Sequence, residues 1–305
     1  MRSIRIGIIG LGSIAQKAYL PILTREDNWT LVGAFSPTAA KRKSICLQYR
    51  MNDYSSISAL TADCDAVFVH SSTGTHYEVV SALLQKGVDV YVDKPLAATV
   101  EQAEKLVELS QKHNRKLMVG FNRRFAPLYL EAKEQAVRPA WIRIDKHRPT
   151  GGTSPFSFTM LDDYLHLVDT ARWLSGGEVS LLSGRIQLND HQDLYTAQHT
   201  YELNGGASIF TAMHRQAGTD LEQVEWTADG CVIRVKNMNC LQVEQNGQLI
   251  EKKPPSWEPV LTQRGFDAAI RHFIKAVQHD SPLLIDGEEA LKSQQLVQKM
   301  IDMYR

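Results

Sequence analysis

The sequence predicts an α/β protein of two domains: a doubly wound parallel sheet, then an α/β domain with a mostly antiparallel, open sheet. The length of 305 residues suits two domains better than one. In the first part, short β-branched runs alternate with helical patterns, as βαβ units do. Beyond Asn122, strand patterns follow one another with turn residues between them. We therefore place the first domain at residues 1–121 and the second at 122–305.

The elements of the first domain follow from apolar runs and turn residues. The predicted strands are Ile4–Ile9, Leu31–Phe35, Ala66–His70, Val88–Val92 and Lys116–Phe121. The predicted helices are Ile14–Leu23, Thr38–Tyr49, His76–Lys86 and Val100–His113. Thr99 and Gln102 form the pattern of a capping box before the last of these helices. In such a sheet, ligands bind beyond the carboxyl ends of the strands.

The second domain begins with a helix and continues as a sheet. The predicted elements are a helix at Leu128–Val137, a strand at Trp141–Asp145, a helix at Leu161–Leu174, successive strands between Ser180 and Asn246, and closing helices at Phe266–Gln278 and Glu288–Tyr304. The short spacing of the strands favours antiparallel pairing.

The amino-acid composition limits the kinds of molecule that we expect the protein to bind. The chain has 34 Lys and Arg residues and 34 Asp and Glu residues, so it has no net positive charge that would favour binding to nucleic acid. The four cysteines lack zinc-like pairing, and no metal site is expected. No apolar run approaches membrane-spanning length, and no signal-peptide pattern precedes the first strand. We expect a soluble cytoplasmic protein with a small-molecule ligand, bound to neither nucleic acid nor membrane.

A glycine motif lies between the first strand and the first helix. Gly10 permits a tight turn, Gly12 lets the backbone approach a pyrophosphate, and the small Ala15 allows close helix–strand packing. At Ser13 and Ile14 the helix offers its first amides to phosphate. The motif alone is a weak signal whose alternative is an ordinary glycine turn. Its position predicts a dinucleotide-binding Rossmann domain.

The end of the second strand bears on which dinucleotide binds. An NAD-preferring site usually has a carboxylate there, but this chain has Ser36, followed by the cations Lys41 and Arg42. A hydroxyl and nearby cations suit the 2′-phosphate of NADP(H), which a carboxylate would repel. The alternative is that the cations form a solvated helix face, and NAD(H) stays open.

The loop after the third predicted strand carries further candidates for nucleotide contact. Ser71 and Ser72 lie at the strand end, and His76 opens the next helix. Each has a structural alternative: the two serines could only form the turn, and the histidine could only cap or pack the helix.

Asp93, Lys94 and Pro95 follow the fourth predicted strand. This position places Lys94 where a substrate would meet a nicotinamide. Hydride transfer at an alcohol carbon needs a charge partner for the oxygen, and a lysine ammonium can stabilise its developing negative charge. Asp93 and Lys94 are also candidates for cofactor contact. The alternative for Lys94 is a surface lysine before a proline.

The helix predicted at Leu161–Leu174 carries polar residues at helical spacing. Asp162, His166, Asp169 and Trp173 share one face of a helix that is otherwise largely apolar. Histidine suits proton transfer near neutral pH, and Asp162 could orient it or bind substrate. The alternative is a structural Asp–His pair. No third ligand of the right type supports a metal.

Four motifs in this order resemble the Gfo/Idh/MocA oxidoreductases over essentially the whole chain. The motifs are Gly10-x-Gly12-x-x-Ala15, Asp93-Lys94-Pro95, the run from Gly120 to Phe125, and Asp162-x-x-x-His166-x-x-Asp169. The resemblance implies a Rossmann domain and a second domain whose open sheet often forms homodimers or dimers of dimers. It implies that His166 is the acid/base, with Lys94 and Asp162 positioning the reacting hydroxyl of a sugar- or polyol-like substrate.

Three departures from the family pattern affect the site. The glutamate before the lysine is Asp93, the usual proline before the family's histidine is Ser72, and the usual glycine two residues before the acid/base is Tyr164. Tyr164 would bring a phenol near the substrate. Arg124 and His147 are further candidates for substrate contact.

Two other functions remain open. One is a regulator that binds NADP(H) without turnover, and the other is a redox-neutral reaction assisted by the nucleotide. The set of Lys94, Asp162 and His166 argues against the regulator, which would not need all three. Substrate consumption without net change of the cofactor would identify the redox-neutral reaction.

Overall fold

The computed structural model describes residues 3–25, 27–151, 154–176, 178–203 and 206–304. The chain divides into two compact units. One runs up to Phe121 and includes Phe266–Lys292, and the other comprises Asn122–Gly265 and the chain from Ser293 onward. The predicted division after Phe121 coincides with this one. The segment Phe266–Lys292, which we expected in the second domain, belongs to the first unit.

Eleven α-helices lie within the described ranges. They are α1 (Leu20–Leu23), α2 (Ala39–Gln48), α3 (Ile57–Ala62), α4 (Thr73–Gln85), α5 (Val100–Lys112), α6 (Pro127–Gln135), α7 (Phe156–Thr159), α8 (Leu165–Leu174), α9 (Val260–Gln263), α10 (Phe266–His279) and α11 (Gly287–Tyr304). A π-helical turn, Ala15–Tyr19, precedes α1, and another, Met160–Tyr164, joins α7 to α8. Asn122–Phe125 forms a 3₁₀ turn. Half of the predicted capping box of α5 is confirmed, because the Thr99 hydroxyl accepts a hydrogen bond from the Gln102 amide. The reciprocal bond is absent, since the side-chain oxygen of Gln102 has no hydrogen-bond partner among the described residues.

The first unit is built on a six-stranded, wholly parallel sheet in the order β3-β2-β1-β4-β5-β6. Its strands are β1 (Ile4–Ile9), β2 (Trp29–Phe35), β3 (Asn52–Asp53), β4 (Ala66–Val69), β5 (Asp89–Val92) and β6 (Leu117–Val119). Residues of β4, β5 and β6 are all buried, because helices cover both faces of such a sheet. The polar β3 carries no apolar pattern and α3 is only six residues long, and we did not predict either of them.

Aromatic packing explains why α10 belongs to the first unit. The ring of Phe273 packs edge-on against Phe68 of β4 and Tyr91 of β5, with centroid separations of 5.4 and 5.6 Å. Phe266 packs edge-on against Tyr19. Burial of the apolar face of α10 on this sheet therefore sets its place, against the order of the chain.

The second unit contains an eight-stranded sheet in the order β14-β13-β12-β11-β7-β10-β9-β8. Its strands are β7 (Pro139–His147), β8 (Ser180–Leu188), β9 (Leu194–Glu202), β10 (Ser208–His214), β11 (Leu221–Ala228), β12 (Cys231–Lys236), β13 (Cys240–Gln245) and β14 (Gln248–Lys252). Only β7 and β10 pair in parallel, which confirms the mostly antiparallel prediction. Helix α8 packs against β7 and β10, so one face of the sheet is covered.

Among the described residues, no helix combines the length and the apolar character that crossing a lipid bilayer requires.

Candidate functional site

The glycine turn after β1 has one closely packed glycine and one open one. Gly10 has a φ of +91°, and a Cβ there would lie 2.4 Å from the backbone nitrogen of Ser71. At Gly12 the nearest atom to such a Cβ would be the carbonyl oxygen of His70, at 3.9 Å. Gly10 is therefore required by the turn itself. The backbone at Gly12 stays approachable, as a pyrophosphate requires.

The helix that follows begins directly behind the turn. Ser13 and Ile14 are exposed, whereas Ala15 is fully buried against the sheet. The amides of a first helical turn have no acceptor within the helix, and the helix dipole adds positive potential there. An open glycine followed by an exposed helix start fits the phosphates of a dinucleotide.

The end of β2 differs from the prediction. Arg42 is buried: it pairs with the carboxylate of Asp53, donates a hydrogen bond of 2.7 Å to the Ser36 carbonyl, and lies over the ring of Phe35. The expectation that Arg42 offers its charge to a 2′-phosphate is therefore corrected, because Asp53 on the unpredicted β3 already balances that charge. Lys41 is exposed and keeps its role as a candidate.

His76 is also placed differently. Its ring is buried, with Nδ1 2.9 Å from the Pro95 carbonyl oxygen and Nε2 3.1 Å from that of Ser71. Burial lowers the pKa of this histidine, although the two carbonyls act in the opposite direction. Both nitrogens face backbone, so His76 ties the β4–α4 turn to the segment that carries Lys94 and does not offer a nitrogen to a nucleotide.

Ser71 and Ser72 form the turn before α4. The Thr75 hydroxyl donates to the Ser71 hydroxyl and to the Ser72 carbonyl, each at 2.8 Å. Both serines remain at the carboxyl edge of the parallel sheet, where they stay candidates for nucleotide contact.

Lys94 follows β5 at this same edge of the sheet, and its peptide bond to Pro95 is cis. The preceding Asp93 is held by its backbone, which donates to the Val69 carbonyl at 3.0 Å. Its carboxylate hydrogen-bonds to the hydroxyl of buried Tyr19, whose pKa is raised by burial first and then by the neighbouring Tyr91 and Asp93. The segment that carries Lys94 is therefore anchored on both sides, by Asp93 and by the bond from His76 to Pro95.

Behind this segment lies a histidine that the sequence reasoning did not single out. His70 is buried, its ring stacks on Tyr19 with a centroid separation of 3.7 Å, and neither ring nitrogen has a hydrogen-bond partner among the described residues. Burial lowers its pKa to about 3, with a smaller effect from His76. A histidine at a strand end carries no periodic signal, so only the fold reveals this one.

In the second unit, Asp162 and His166 lie on the helical segment that packs on the eight-stranded sheet. Asp162 is half-exposed in the π-helical turn, and His166 is buried in the first turn of α8. The predicted α-helical spacing between them is therefore interrupted. In a π-turn hydrogen bonds run to the fifth residue, which widens the helix locally and recurs at functional sites.

Asp169 and Arg124 form a buried ion pair. Arg124 donates from Nε at 3.0 Å and from Nη2 at 2.6 Å to the two carboxylate oxygens of Asp169, which also accepts from the Ser293 hydroxyl. The expectation that Arg124 contacts substrate is corrected, because its fork is occupied by a carboxylate of the protein itself. The predicted polar stripe thus contains one purely internal member.

The expectation that Tyr164 brings a phenol near the substrate is corrected as well. Its ring is fully buried, and its hydroxyl lies 2.7 Å from Nδ1 of His199 and 2.7 Å from the Thr211 hydroxyl. Tyr201 joins the same network through Thr211. The phenol therefore faces strands β9 and β10. Its hydroxyl takes part in a hydrogen-bond network of the core and does not contact substrate, as we had expected it to.

His166 has a charged neighbour that the sequence did not predict. Nη1 of Arg123 lies 2.8 Å from Nδ1 of His166, and the same guanidinium forms a two-pronged ion pair with Glu222 of β11. Burial alone would raise the pKa of Glu222, but Arg123 and Lys146 outweigh it and hold that pKa well below its usual range. The sequence analysis singles out neither Arg123 nor Glu222, because their pairing depends on the fold.

A second cluster of charges lies at the end of β7. Lys146 is almost fully buried and pairs with Asp163, which Arg215 also contacts. Burial, followed by the charge of Arg123, lowers the pKa of Lys146 to about 8. Next to it, Nδ1 of His147 is buried without a hydrogen-bond partner in the part of the chain that the structure describes, so His147 remains a candidate for substrate contact.

Two family profiles match the chain. Residues 4–121 match the oxidoreductase family with an NAD-binding Rossmann fold, and residues 127–246 match the YceM-like C-terminal domain. YceM of Salmonella typhimurium is 46% identical over 98% of each chain. The crystal structure of the dehydrogenase MviM from Clostridium difficile is 46% identical, with a TM-score of 0.96 over 98% of this chain and 99% of that one.

Two enzymes named for their substrates are more distant relatives. The UDP-N-acetylglucosamine 3-dehydrogenase of Acidithiobacillus ferrooxidans is 28% identical over 70% of this chain and 68% of its own. The inositol 2-dehydrogenase of Acidothermus cellulolyticus is 30% identical over 64% and 61%. The parallel sheet has an open glycine turn and a lysine at its carboxyl edge, and the chain is 46% identical to YceM over nearly its full length. The chain therefore belongs to the Gfo/Idh/MocA family of oxidoreductases.

Proposed function

We propose that the chain is an NAD(P)-dependent dehydrogenase or reductase that acts on a hydroxyl or carbonyl carbon of a sugar- or polyol-like molecule. One observation carries this proposal: Lys94 follows β5 at the same carboxyl edge of the parallel sheet at which β1 ends in the open glycine turn. A cation is thereby fixed at the edge where a dinucleotide would lie.

The nucleotide contacts would come from the backbone at Gly12, from Ser13 and Ile14 at the helix start, and from the turn at Ser71 and Ser72. The nicotinamide, when bound, would supply or accept the hydride. The structure supports this occupant through its open glycine and exposed helix start, which a phosphate-free turn would not need.

We favour NADP(H) over NAD(H). The end of β2 carries Ser36, and Asp53 on β3 has its charge balanced by Arg42. Lys41, the other cation that we predicted to contact the 2′-phosphate, is exposed. A 2′-phosphate would therefore meet a hydroxyl and a lysine without an uncompensated carboxylate.

The roles of the chain's residues follow from their chemistry. Lys94 would stabilise the charge that develops on the substrate oxygen. The family resemblance implies that Asp162 positions the reacting hydroxyl and that His166 is the acid/base. The two relatives named for UDP-N-acetylglucosamine and inositol support a substrate with several hydroxyl groups.

The test combines nucleotide binding with a substrate screen. Binding of NADPH and NADH is measured by quenching of tryptophan fluorescence, and sugars, sugar acids and inositols are then screened by nicotinamide absorbance. Lys94→Met is expected to lower kcat by roughly 10²-fold to 10³-fold, the usual effect of losing one donor to a developing oxyanion. Its nucleotide Kd should stay near that of the wild type.

Lys86→Met serves as the matched control, because Lys86 lies at the far end of α4, where it contacts Ser58. Equal activity of Lys94→Met and the wild type would overturn the mechanism. Nucleotide binding without any turnover would favour the regulator, and substrate consumption without net absorbance change would favour the redox-neutral reaction.

We also propose that the chain forms a homodimer or a dimer of dimers through the open face of the eight-stranded sheet. Trp141 of β7 and Phe210 of β10 lie on this face in adjacent strands and are 44% and 39% exposed. Two exposed aromatic residues on one uncovered sheet face support a protein interface there. Sedimentation equilibrium of the wild type and of Phe210→Glu would test it, and a monomeric wild type would refute it.

A further inference from the structure

Tyr19 lies behind the segment that carries Lys94, and its side chain is completely buried. It is the last residue of the π-helical turn that follows the glycine motif. Its ring stacks on His70 with a centroid separation of 3.7 Å and packs edge-on against Tyr91 and Phe266 at 5.6 and 5.7 Å. This close packing restricts the ring and therefore fixes the direction in which its hydroxyl points.

The hydroxyl of Tyr19 has two polar neighbours. Its oxygen lies 3.4 Å from the hydroxyl oxygen of Tyr91, and it hydrogen-bonds to the carboxylate of Asp93. An ionised carboxylate only accepts hydrogen bonds, and 3.4 Å is long for a bond between two hydroxyls. The single hydrogen of the phenol is therefore directed to Asp93, where it forms the stronger, charge-assisted bond.

The chain makes room for this arrangement at Gly120. A Cβ at that position would lie 2.9 Å from the hydroxyl oxygen of Tyr19 and 3.1 Å from that of Tyr91. The glycine is itself held in place, because its amide donates to the Val92 carbonyl at 2.9 Å. The two phenols thus give a physical reason for the glycine that begins the motif from Gly120 to Phe125.

Both phenols keep their hydrogens near neutral pH. Burial raises the pKa of Tyr19 well above its usual value, and Tyr91 and Asp93 raise it further. Burial likewise raises the pKa of Tyr91. Tyr19 is therefore a constant donor to the carboxylate.

Asp93 is the residue through which this hydroxyl can act on a ligand. Its backbone is fixed by the hydrogen bond from its amide to the Val69 carbonyl, whereas the residue as a whole is only partly buried. It directly follows β5, so it lies at the carboxyl edge of the parallel sheet, as Lys94 does. A nicotinamide at this edge would meet one negative and one positive side chain.

The two redox forms of a nicotinamide differ in charge. The oxidised ring is a cation, and the reduced ring is neutral. Lys94 alone would repel the cation, whereas a carboxylate held nearby attracts it. Because this attraction depends on distance, a residue that fixes the direction of the carboxylate also affects the affinity for the oxidised form.

We propose that Asp93 favours binding of the oxidised nucleotide and that Tyr19 is the positioning residue that holds the carboxylate for this role. The inference rests on the proposed function for the presence of a nicotinamide nucleotide, but it requires no turnover.

Equilibrium binding of both redox forms tests the proposal without any substrate. Titration calorimetry measures the Kd of the oxidised and of the reduced nucleotide, NADP or NAD, whichever the full-length wild type binds more tightly. Asp93→Asn should raise the ratio of the oxidised to the reduced Kd roughly 10-fold, because one attractive charge is lost. Tyr19→Phe keeps the ring and removes only the hydroxyl, so it should raise the ratio roughly 3-fold, as loss of one hydrogen bond does.

The double variant shows whether Tyr19 acts through Asp93. Tyr19→Phe should change the ratio no further when Asp93→Asn is already present, because the effects of two groups that act as a unit are not additive. A merely structural role of Tyr19 would lower the Tm and weaken the binding of both redox forms alike, which leaves the ratio unchanged.

Tyr54→Phe is the matched control, because the Tyr54 hydroxyl donates to the carboxylate of Asp63 at 2.7 Å in the same unit. Asp63 precedes β4 and therefore lies at the opposite, amino edge of the sheet. This variant should keep the wild-type ratio.

An unchanged ratio in Asp93→Asn would overturn the proposal, even if Tyr19→Phe does not fold. An equal effect of Tyr19→Phe with and without the Asp93 carboxylate would refute the role of Tyr19. The expected ratios in a chain that turns over no substrate would support this inference and count against the dehydrogenase alone.

Discussion

The buried pair between Asp169 and Arg124 makes Asp169→Asn a sharp test of how the second unit is held together. The Asp169 carboxylate accepts from Nε and Nη2 of Arg124 at 3.0 and 2.6 Å and from the Ser293 hydroxyl at 2.9 Å. Its side chain is 1% exposed, and that of Arg124 is 7% exposed. Asparagine keeps the shape, removes the charge, and turns one acceptor into an amide donor that faces a guanidinium.

The expected loss of stability follows from this burial. Removing one partner of a buried ion pair costs about 3–5 kcal/mol, because the remaining charge loses its compensation in a medium that solvates it poorly. For a unit of this size, 1 kcal/mol lowers the Tm by about 2–4 °C, so Asp169→Asn should lower it by about 6–20 °C.

Asp229→Asn is the matched control, because Asp229 pairs with Arg138 at 2.7 Å while both side chains are largely exposed. An exposed pair contributes at most about 1 kcal/mol. Urea unfolding followed by circular dichroism measures both variants. If Asp169→Asn cost no more than Asp229→Asn, the buried pair would not stabilise the unit, and Arg124 would become a substrate candidate again.

Three further predictions concern the first unit. His70 has a pKa near 3 when folded, so between pH 6.5 and 3 only the unfolded chain binds its proton, and stability falls as pH falls. His70→Phe should therefore lose about 2 kcal/mol less than the wild type between pH 7 and pH 5 in urea unfolding, and an equal loss would contradict the buried neutral histidine. Gly12→Ala should leave the Tm nearly unchanged but raise the Kd for NADPH. Gly10→Ala should lower the Tm, because its Cβ would meet the Ser71 backbone. A lowered Tm in both variants would refute the distinction between an open Gly12 and a closely packed Gly10. Lys41→Ala should weaken binding of NADPH more than that of NADH in fluorescence titrations, and equal weakening would remove the argument for a 2′-phosphate contact.

Much of the fold could be predicted from local patterns. The strand at Ile4–Ile9 and the helix at Val100 begin where the apolar runs and the Thr99 cap place them. The patterns failed where packing decides: β3 is two exposed residues that pair with β2 through backbone alone, and α10 returns to the first sheet because its aromatic residues pack there. No periodic pattern in the chain reveals the backbone pairing of β3 or the sheet on which the apolar face of α10 packs.

The candidate site divides in the same way. The residues whose types suit the chemistry, Lys94 and His166 above all, lie in motifs that can be recognised in the sequence. No motif shows which residues pair with the charged side chains. Arg42 looked like a phosphate ligand and Arg124 like a substrate ligand until the fold brought Asp53 and Asp169 to them.

By itself, the sequence determined the parallel sheet, the glycine turn and the family, because short-range spacing encodes strands, turns and motifs. Only the tertiary structure decided which charges are already balanced, that Tyr164 lies in the core, and that a guanidinium held by Glu222 faces His166. The physical reason is that charge balance and hydrogen-bond direction depend on contacts between residues far apart in the chain, such as Arg123 and Glu222, which are 99 positions apart.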